Sequence, residues 1–577
     1  MRTDADLERL ICGADRRGYP AYKRLRGRYR FKWFDLDIAH VQGDPFASPS
    51  RLEAWVPYPE TGLEASLAGV PHRRVAVEDV IARRLARELA RVSHRVSGSG
   101  KSGFLGTDHP GPEVLARSAC EIAADGVLVR FEAGFPARGR TCDARGLGEM
   151  LLDLVPAALD AVFDKGALPT AARAAAGLAE DRHAVRRELS RRGLVSFIAD
   201  GSVLARASGA SAAPLEGAKP FRSPDSLAVE LDLPNAGRVR GMGVPCGVTL
   251  IVGGGYHGKS TLLRAMQEGV YDHVQGDGRE LAITRADAVK VRAEDRRPVH
   301  GVDISAFIGA LPDGRDTRRF STGDASGSTS QAASTVEAVS SGCRALLIDE
   351  DTSATNFMVR DGLMASVVPA ALEPIAPFSG RVRRLWERDG VSSVIVVGSS
   401  GAFFPAADTV IQMRDYEAFD ITDRVRALCL ERGLGAPRDE HGLEDGRGLR
   451  EGRSSREDSA PLAAQAEPCV SLPDPGRLKA RSRGTDEVSV GEGSADMRLV
   501  EQLVDPGQAA AIAELAASAF GHGMLRGTGG AGAIADRLLS ELDEGGWAAF
   551  APDGDPSCAL ARPRREELAA CLRRWRG

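Results

Sequence analysis

Residues 253–261 read Gly253-Gly254-Gly255-Tyr256-His257-Gly258-Lys259-Ser260-Thr261. The apolar run Val248-Thr249-Leu250-Ile251-Val252 leads into them, so the pattern is a strand, a glycine turn and then a helix. Glycines in that turn let successive backbone N–H groups point inward around an anion. Lys259 then reaches the β- and γ-phosphates, and the Ser260 hydroxyl sits on Mg²⁺. A loop of this kind demands an open α/β sheet with its ligand at the carboxyl ends of the strands.

The chain has 577 residues, too many for one hydrophobic core. Its net charge of −5 carries no global basic signature, so any nucleic-acid contact must come from a local patch. The nine cysteines include no C-x-x-C pair, so neither a zinc site nor a disulfide framework is suggested, and the spacing points to reduced thiols in a cytoplasmic protein. Met1-Arg2-Thr3-Asp4 leads into no apolar signal segment. No run approaches the ~20 apolar residues of a membrane span.

Four segments are expected. Residues 1–205 mix strands with helices over Ala76–Val92, Arg145–Phe163 and Thr170–Arg192 and form an N-terminal α+β domain. Residues 206–430 hold the nucleotide motifs and three buried parallel strands, Val248–Val252, Ala345–Ile348 and Ser393–Val397. Residues 431–480 lose the periodic pattern, with Asp439–Asp458 rich in Gly, Arg, Glu and Asp, and read as a flexible, partly disordered linker. Residues 481–577 read as a small helical domain, with helices over Leu499–Phe520 and Ile534–Leu542.

Downstream of the phosphate loop, Ala345-Leu346-Leu347-Ile348 ends in Asp349-Glu350. Asp349 is placed to hold Mg²⁺ through water, and Glu350 to polarise the attacking water as catalytic base, with Lys259 on the phosphates. An ordinary strand ending in a charged turn would look the same in isolation. Ala325-Ser326-Gly327-Ser328-Thr329-Ser330-Gln331 lies 23 residues before Asp349, counted from Ser326. It resembles the L-S-G-G-Q signature of ABC ATPases. A serine and a glycine at a helix N-terminus present a hydroxyl and N–H groups to an anion. Asp349-Glu350-Asp351-Thr352-Ser353-Ala354 resembles the D-E-P-T-S-A run of the same class.

The likeness extends to Arg292-Ala293-Glu294-Asp295, Gly301-Val302-Asp303-Ile304-Ser305, His40-Val41-Gln42-Gly43-Asp44-Pro45-Phe46 and Leu503-Val504-Asp505-Pro506-Gly507-Gln508. Together these motifs resemble the predicted ATPases of the ABC class. The resemblance implies an N-terminal domain, an ABC-type ATPase core using ATP and Mg²⁺, and a C-terminal helical domain. It also implies a soluble homodimer without transporter subunits, and the family is linked to RNA processing. In such a dimer Ser326, Gly327, Ser328 and Gln331 of one subunit face the phosphate held by Lys259 and Ser260 of the other.

The pattern departs from the class in places. Where transport ABC proteins carry a switch histidine, Val397-Gly398-Ser399-Ser400 offers serines, of which Ser399 or Ser400 is placed to touch the γ-phosphate. Residues 222–255 contain no aromatic ring to stack on adenine, and Phe221 is the nearest candidate. At the distance of the usual Q-loop glutamine stand His300 and Asp303, of which Asp303 is placed to approach Mg²⁺.

Two more segments carry charge. Between Arg16 and Trp33 basic and aromatic residues alternate without an acid, including Lys23, Arg24, Arg26, Arg28 and Arg30. Single-stranded nucleic acid is held in this way, with cations on phosphates and rings under bases, but a solvated basic face over core aromatics gives the same pattern. Gly98-Ser99-Gly100-Lys101-Ser102-Gly103 echoes a phosphate loop, but no strand leads into it. It reads as a flexible loop, or as one whose Lys101 contacts a phosphate backbone.

The expected protein is a homodimeric ABC-class ATPase whose cycle moves nucleic-acid-binding N-terminal domains. The alternative is a nucleotide-gated scaffold for a protein partner with little hydrolysis. The ATPase subunit of a membrane pump would ordinarily be shorter and lack these flanking segments.

Overall fold

Ser50, Leu52, Ala54 and Val56 are buried while the residues between them are half-exposed, the period of two expected of a strand with one face on a core. That strand is the centre of the first of two compact units in a computed structural model, which describes residues 1–577 except Ala210, Ala370, Ala371, 435–460, Ala466, Pro552, Asp553 and Gly577. The first unit comprises Met1–His183, Asp505–Glu514 and Glu541–Arg562. The second comprises Ala184–Val504, Leu515–Ser540 and Pro563–Gly577.

The sheet of the first unit contains β1 (Arg2–Thr3), β2 (Gly27–Arg30), β3 (Asp35–His40), β4 (Ser50–Pro57), β5 (Leu105–Gly106), β6 (Cys120–Ile122) and β7 (Gly126–Ala133). Its order is β1-β2-β3-β4-β7-β5, with β6 also pairing along β7. Helix α1 (Asp4–Ala14) is closed at its N-terminus by a Thr3–Asp6 capping box. The long α2 (Pro71–Val92) buries Val77, Ile81, Leu85 and Leu89, four residues apart. It packs on α3 (Val155–Val162), which continues a helical run from Ala144 through a π-type turn at Glu149–Leu154. The three helices expected from periodicity are thus present, the third as α4 (Ala167–Arg192). In the same unit the fully buried Arg117 bridges Asp108 at 2.5 Å and Asp505 at 2.7 Å, so its charge is satisfied away from water.

The basic–aromatic strip separates into two sets of side chains. Tyr19, Tyr22 and Tyr29 are buried, and their hydroxyls donate to the carbonyls of Phe135, Pro136 and Leu25. Burial pushes all three phenols above their ordinary pKa. These rings are core, and the expectation that they stack on bases is corrected. The cations point outward: Lys23, Arg24, Arg26, Arg28 and Arg30 are exposed. Arg28 pairs with Asp37 at 3.2 Å and Arg30 with Asp35 at 3.3 Å, while Lys23, Arg24 and Arg26 have no ion pair among the described residues.

The Gly98–Gly103 loop is fastened rather than flexible. Ser99 N–H donates to Ala137 O at 2.8 Å, Lys101 N–H to Pro45 O at 2.9 Å and Gly103 N–H to Gly134 O at 2.9 Å. Gly103 is left-handed, with φ 79°, and a Cβ there would lie 1.8 Å from Val96 O, so backbone packing explains the glycine without any phosphate. Lys101 itself is exposed.

The second unit has two sheets. One is antiparallel, built from β8 (Leu194–Ala199), β9 (Ala228–Leu233), β10 (Gly237–Pro245) and β12 (Ala282–Thr284) in the order β9-β10-β8-β12. The sequence boundary at 205 cuts β8 away from the sheet that claims it, because pairing partners are not a local property of a strand. The other sheet contains β11 (Val248–Val252), β13 (Ala288–Val291), β14 (Ala345–Asp349), β15 (Ser392–Val396), β16 (Thr409–Arg414) and β17 (Glu417–Asp420). Its order is β13-β14-β15-β11-β16-β17, parallel except for the final hairpin. The three expected buried strands are its centre, and every residue of β11, β14 and β15 is buried. Helices α5 (Lys259–Glu268), α6 (Gly327–Ser340), α7 (Val382–Asp389) and α8 (Thr422–Glu431) accompany this sheet.

The C-terminal segment contains the two expected helices as α9 (Pro506–Gly521) and α10 (Ala531–Gly545), and a third that was not expected, α11 (Arg565–Arg573). The first begins at Pro506 rather than Leu499, since proline is suited to the first helical turn and Asp505 Oδ1 accepts the Gly507 N–H at 2.7 Å. A four-stranded antiparallel sheet also forms, β18 (Ala480–Arg483), β19 (Glu487–Val490), β20 (Gly493–Asp496) and β21 (Trp575–Arg576). Of the expected linker, 435–460 lie outside the described residues. The part that follows is held in place: Leu462 is buried, Glu467 pairs with Arg573 at 2.5 Å, and Cys469–Ser471 pairs with Arg526–Gly530. No helix among the described residues is long and apolar enough to cross a membrane.

Candidate nucleotide site

The phosphate loop leaves the carboxyl end of β11 at Gly253, whose φ of 145° and close approach to Met413 O leave no room for a Cβ. Gly258 is left-handed at φ 96° and caps α5, whose buried face is Leu262, Leu263 and Met266. The loop is wound for anion binding, with Gly254, Gly255 and Tyr256 exposed at its apex. Lys259 Nζ donates to Gly253 O and Gly254 O, both at 2.8 Å, so the lysine is folded over its own loop. His257 Nδ1 accepts the Asp415 N–H at 2.9 Å, and His257 O accepts the Tyr416 N–H at 3.1 Å. The β16–β17 turn is thereby fastened to the phosphate loop, a contact for which the sequence reading had no signal.

Strand β14 delivers the two carboxylates. Asp349 is buried, and its Oδ1 accepts the Asp351 N–H at 3.1 Å. Glu350 turns toward the loop after β15. Its Oε2 accepts the N–H groups of Gly398 at 2.6 Å and Ser399 at 3.1 Å, and its Oε1 accepts the Ser399 hydroxyl at 2.9 Å. This follows from strand order: β15 lies between β14 and the β11 strand of the phosphate loop, so its exit loop stands beside Glu350, between that carboxylate and the phosphate loop. Ser399 therefore holds the Glu350 carboxylate. Ser400 Oγ instead accepts the Ala402 N–H at 3.2 Å.

Ser326 caps α6, and its Oγ lies 2.6 Å from Thr329 Oγ1 and 3.4 Å from Ser328 Oγ. Ser326 is exposed and Gly327 half-exposed, as an anion-binding helix start requires, while Ser328 is buried. Gln331 is fully buried. Its Nε2 donates to Ser353 Oγ at 2.9 Å and its Oε1 accepts the Ala354 N–H at 2.9 Å. With both ends of its amide used, it cannot touch a partner's phosphate, and that expectation is corrected: Gln331 ties the signature helix to the segment after Asp349-Glu350.

The expected Q-loop candidates do different work. His300 Nε2 lies 3.2 Å from Trp575 O. Asp303 Oδ1 accepts the N–H and hydroxyl of Ser305 at 3.0 and 2.6 Å, a turn-capping role. Behind the site, Glu294 of the Arg292–Asp295 run is buried and forms a bidentate pair with Arg574 at 2.5 and 3.0 Å. Lys290, on β13, was not foreseen: burial pushes its ammonium pKa down, while Glu501 and Asp349 pull it up. Phe221 is buried and lines an apolar cavity beside Gly258 and Thr261.

Among the described residues no cluster of three or more His, Cys, Asp or Glu could hold a metal alone. The Ser260 hydroxyl and the Asp349 carboxylate are the oxygen donors suited to Mg²⁺, which takes its other ligands from phosphates and water. The donor set fits a metal arriving with a nucleotide.

The family model described as the P-loop domain of the ABC ATPases matches residues 170–442. The model described as the N-terminal part of ATPases of the ABC class matches residues 4–165. The chain belongs to the ABC-class ATPases. Residues 479–577 match a model described as the MRB1590 C-terminal domain. The uncharacterized protein MJ1628 of Methanocaldococcus jannaschii is 33% identical over 244 residues, which are 41% of this chain. The chain spans about half the length of that relative, 53%.

Proposed function

We propose that this chain is an ATP hydrolase that works as a homodimer, each nucleotide held between Lys259 and Ser260 of one subunit and Ser326 and Gly327 of the other. The observation that carries the reading is Glu350, a carboxylate next to the buried Asp349 whose orientation is set by Gly398 and Ser399. A base so placed can take the proton of a water attacking the γ-phosphate, while Lys259 and the loop amides stabilise the charge that builds on the phosphoryl oxygens. Mg²⁺, held by Ser260 and Asp349, would neutralise charge on the phosphates. Contacts made across the dimer only when nucleotide is bound would favour the closed state, and their loss on hydrolysis would open it.

The cargo fits a nucleic acid, RNA in keeping with the family resemblance. The exposed Lys23, Arg24 and Arg26, which have no ion pair among the described residues, support phosphate contact. Nine unpaired cysteines favour action in the cytoplasm.

A second reading is a nucleotide-gated scaffold with slow turnover. It is favoured by the three hydrogen bonds on Glu350, which use most of the carboxylate's accepting capacity. Sedimentation and turnover of Glu350→Gln in ATP separate the two. The hydrolase reading expects an ATP-bound dimer that does not turn over, and hydrolysis at the wild-type rate would sink it.

A further inference from the structure

The hairpin turn fastened to the phosphate loop breaks a rule of its own local structure. Arg414 pairs opposite Glu417, so the β16–β17 turn is the two residues Asp415-Tyr416. Both are left-handed, at φ 50° and 64°. Two-residue turns with positive φ at both positions favour Asn-Gly or Asp-Gly. Asp415 obeys that preference and Tyr416 does not. A bulky side chain in this region is strained, and such strain persists where the surroundings use it. The hairpin alone would select glycine, so the ring has another reason to be there.

The ring lies against Gly258, where a Cβ would come within 2.9 Å of Tyr416 Cδ1. It is 46% exposed and is not consumed by the core. Beside it is an apolar cavity of about 260 Å³ lined by Leu204, Leu215, Phe221, Leu262, Met413 and Tyr416. Gly258 and Thr261 belong to the same wall, so the cavity adjoins the amides that would hold phosphates. Lys219 also lines it, with Nζ 2.7 Å from Glu417 and 3.4 Å from Asp415 O. No carboxylate lines it among the described residues.

We propose that this cavity is the base slot: the purine of a nucleoside triphosphate stacks on Tyr416, and the apolar side chains cover it. The proposal rests on the nucleotide reading above. Stacking is open to any base, since every base has a π face. Selection then comes from burial. Guanine brings three N–H donors, one on N1 and two on N2, against adenine's two on N6, so it has more to bury without an acceptor, and the lining offers no carboxylate to take them. Adenine is preferred over guanine, by desolvation rather than by a specific pairing group.

Titration calorimetry of the full chain with ATP, GTP and inorganic tripolyphosphate tests this. Tyr416→Ala and Tyr416→Gly should each weaken ATP binding by about tenfold or more, as expected for loss of one stacking ring, and leave tripolyphosphate binding unchanged. Tyr416→Phe should keep wild-type affinity. Tyr416→Gly should also raise the melting temperature, which a purely structural role for the ring would not allow. ATP binding at wild-type strength in folded Tyr416→Ala and Tyr416→Gly would overturn the proposal, as would wild-type protein binding GTP more tightly than ATP. If wild-type protein binds tripolyphosphate and Lys259→Ala does not, the phosphate-loop reading survives even where the base slot fails. If wild-type protein binds neither ATP nor tripolyphosphate, both fall.

Discussion

The Ser399 hydroxyl donates to Glu350 Oε1 at 2.9 Å, at the place where a switch histidine is absent. With the two amides on Oε2, it fixes the rotamer of the carboxylate. Removing one hydrogen bond of this kind costs about 1 kcal/mol of orientation. Ser399→Ala is therefore expected to lower kcat about fivefold to tenfold with KM for ATP unchanged, whereas Glu350→Gln should lower kcat by at least ~100-fold. Steady-state ATP hydrolysis measures both. A Ser399→Ala variant with altered KM and unaltered kcat would mean that the serine serves nucleotide binding instead.

Gln331 is a structural tie between the signature helix and Ser353-Ala354. Gln331→Leu keeps roughly the volume but takes the acceptor from the Ala354 N–H and one of two partners from the Ser353 hydroxyl, which still donates to Asp349 O at 2.8 Å. Each hydrogen bond lost costs about 1 kcal/mol. The denaturant midpoint should fall accordingly, and phosphate binding by the isolated loop residues should persist. An unchanged midpoint would mean that packing alone holds the signature helix to this segment.

The contrast between Gln331 and Lys259 shows what a single sequence can reveal. The phosphate loop and Asp349-Glu350 are legible because each is a contiguous strand–turn pattern whose chemistry and local geometry coincide. Gln331 shares the signature pattern, yet its use depends on which way a helix face turns, and that is set by packing. Tyr19, Tyr22 and Tyr29 alternate with cations in the chain, but rings and charges part company once one side meets a core. The residues around Tyr416 were illegible for a different reason: Leu204, Leu215, Leu262 and Met413 come together only through the sheet. One local clue existed, a tyrosine where an Asp-Gly turn would serve. Glu467, in an aperiodic stretch of small and apolar residues, gave no hint that it would pair with Arg573.

Glu78 gives the first unit a pH dependence. It is 7% exposed, and burial raises its pKa from an ordinary 4.5 to about 7, against the pull of the Ile122 N–H and Arg74. The folded protein holds this proton more tightly than the unfolded chain. The stabilisation is complete below about pH 4.5 and is lost as pH rises through about 7. Glu78→Gln keeps a neutral side chain at every pH. It should be more stable than wild type at pH 8, by an amount on the order of 2–3 kcal/mol, and nearly equal to it at pH 4.5. Thermal unfolding of both proteins across that range checks the sign.

Arg574 and Glu294 join the C-terminal segment to the body of the nucleotide unit through two buried hydrogen bonds. Arg574→Met leaves the Glu294 carboxylate without this partner in a site 6% exposed. Breaking a buried pair from one side costs about 3–5 kcal/mol, whereas replacing both charges is often neutral. Arg574→Met should therefore unfold at markedly lower denaturant, and Arg574→Met with Glu294→Gln should recover much of the loss. Failure of the double variant to recover would mean that Arg574 acts mainly by packing.

The cations of the N-terminal strip should not contribute equally to nucleic-acid binding. Arg28 and Arg30 already spend their charge on Asp37 and Asp35, while Arg24 and Arg26 have no ion pair among the described residues. Each cation that meets a phosphate displaces counterions and adds about 0.7 to the salt slope for single strands. Arg24→Ala and Arg26→Ala should each lower that slope by about this amount, and Arg28→Ala and Arg30→Ala by much less. Binding of a single-stranded RNA at several salt concentrations reads the difference. Equal slopes in all four variants and wild type would remove the strip from the binding surface and leave the nucleotide site untouched.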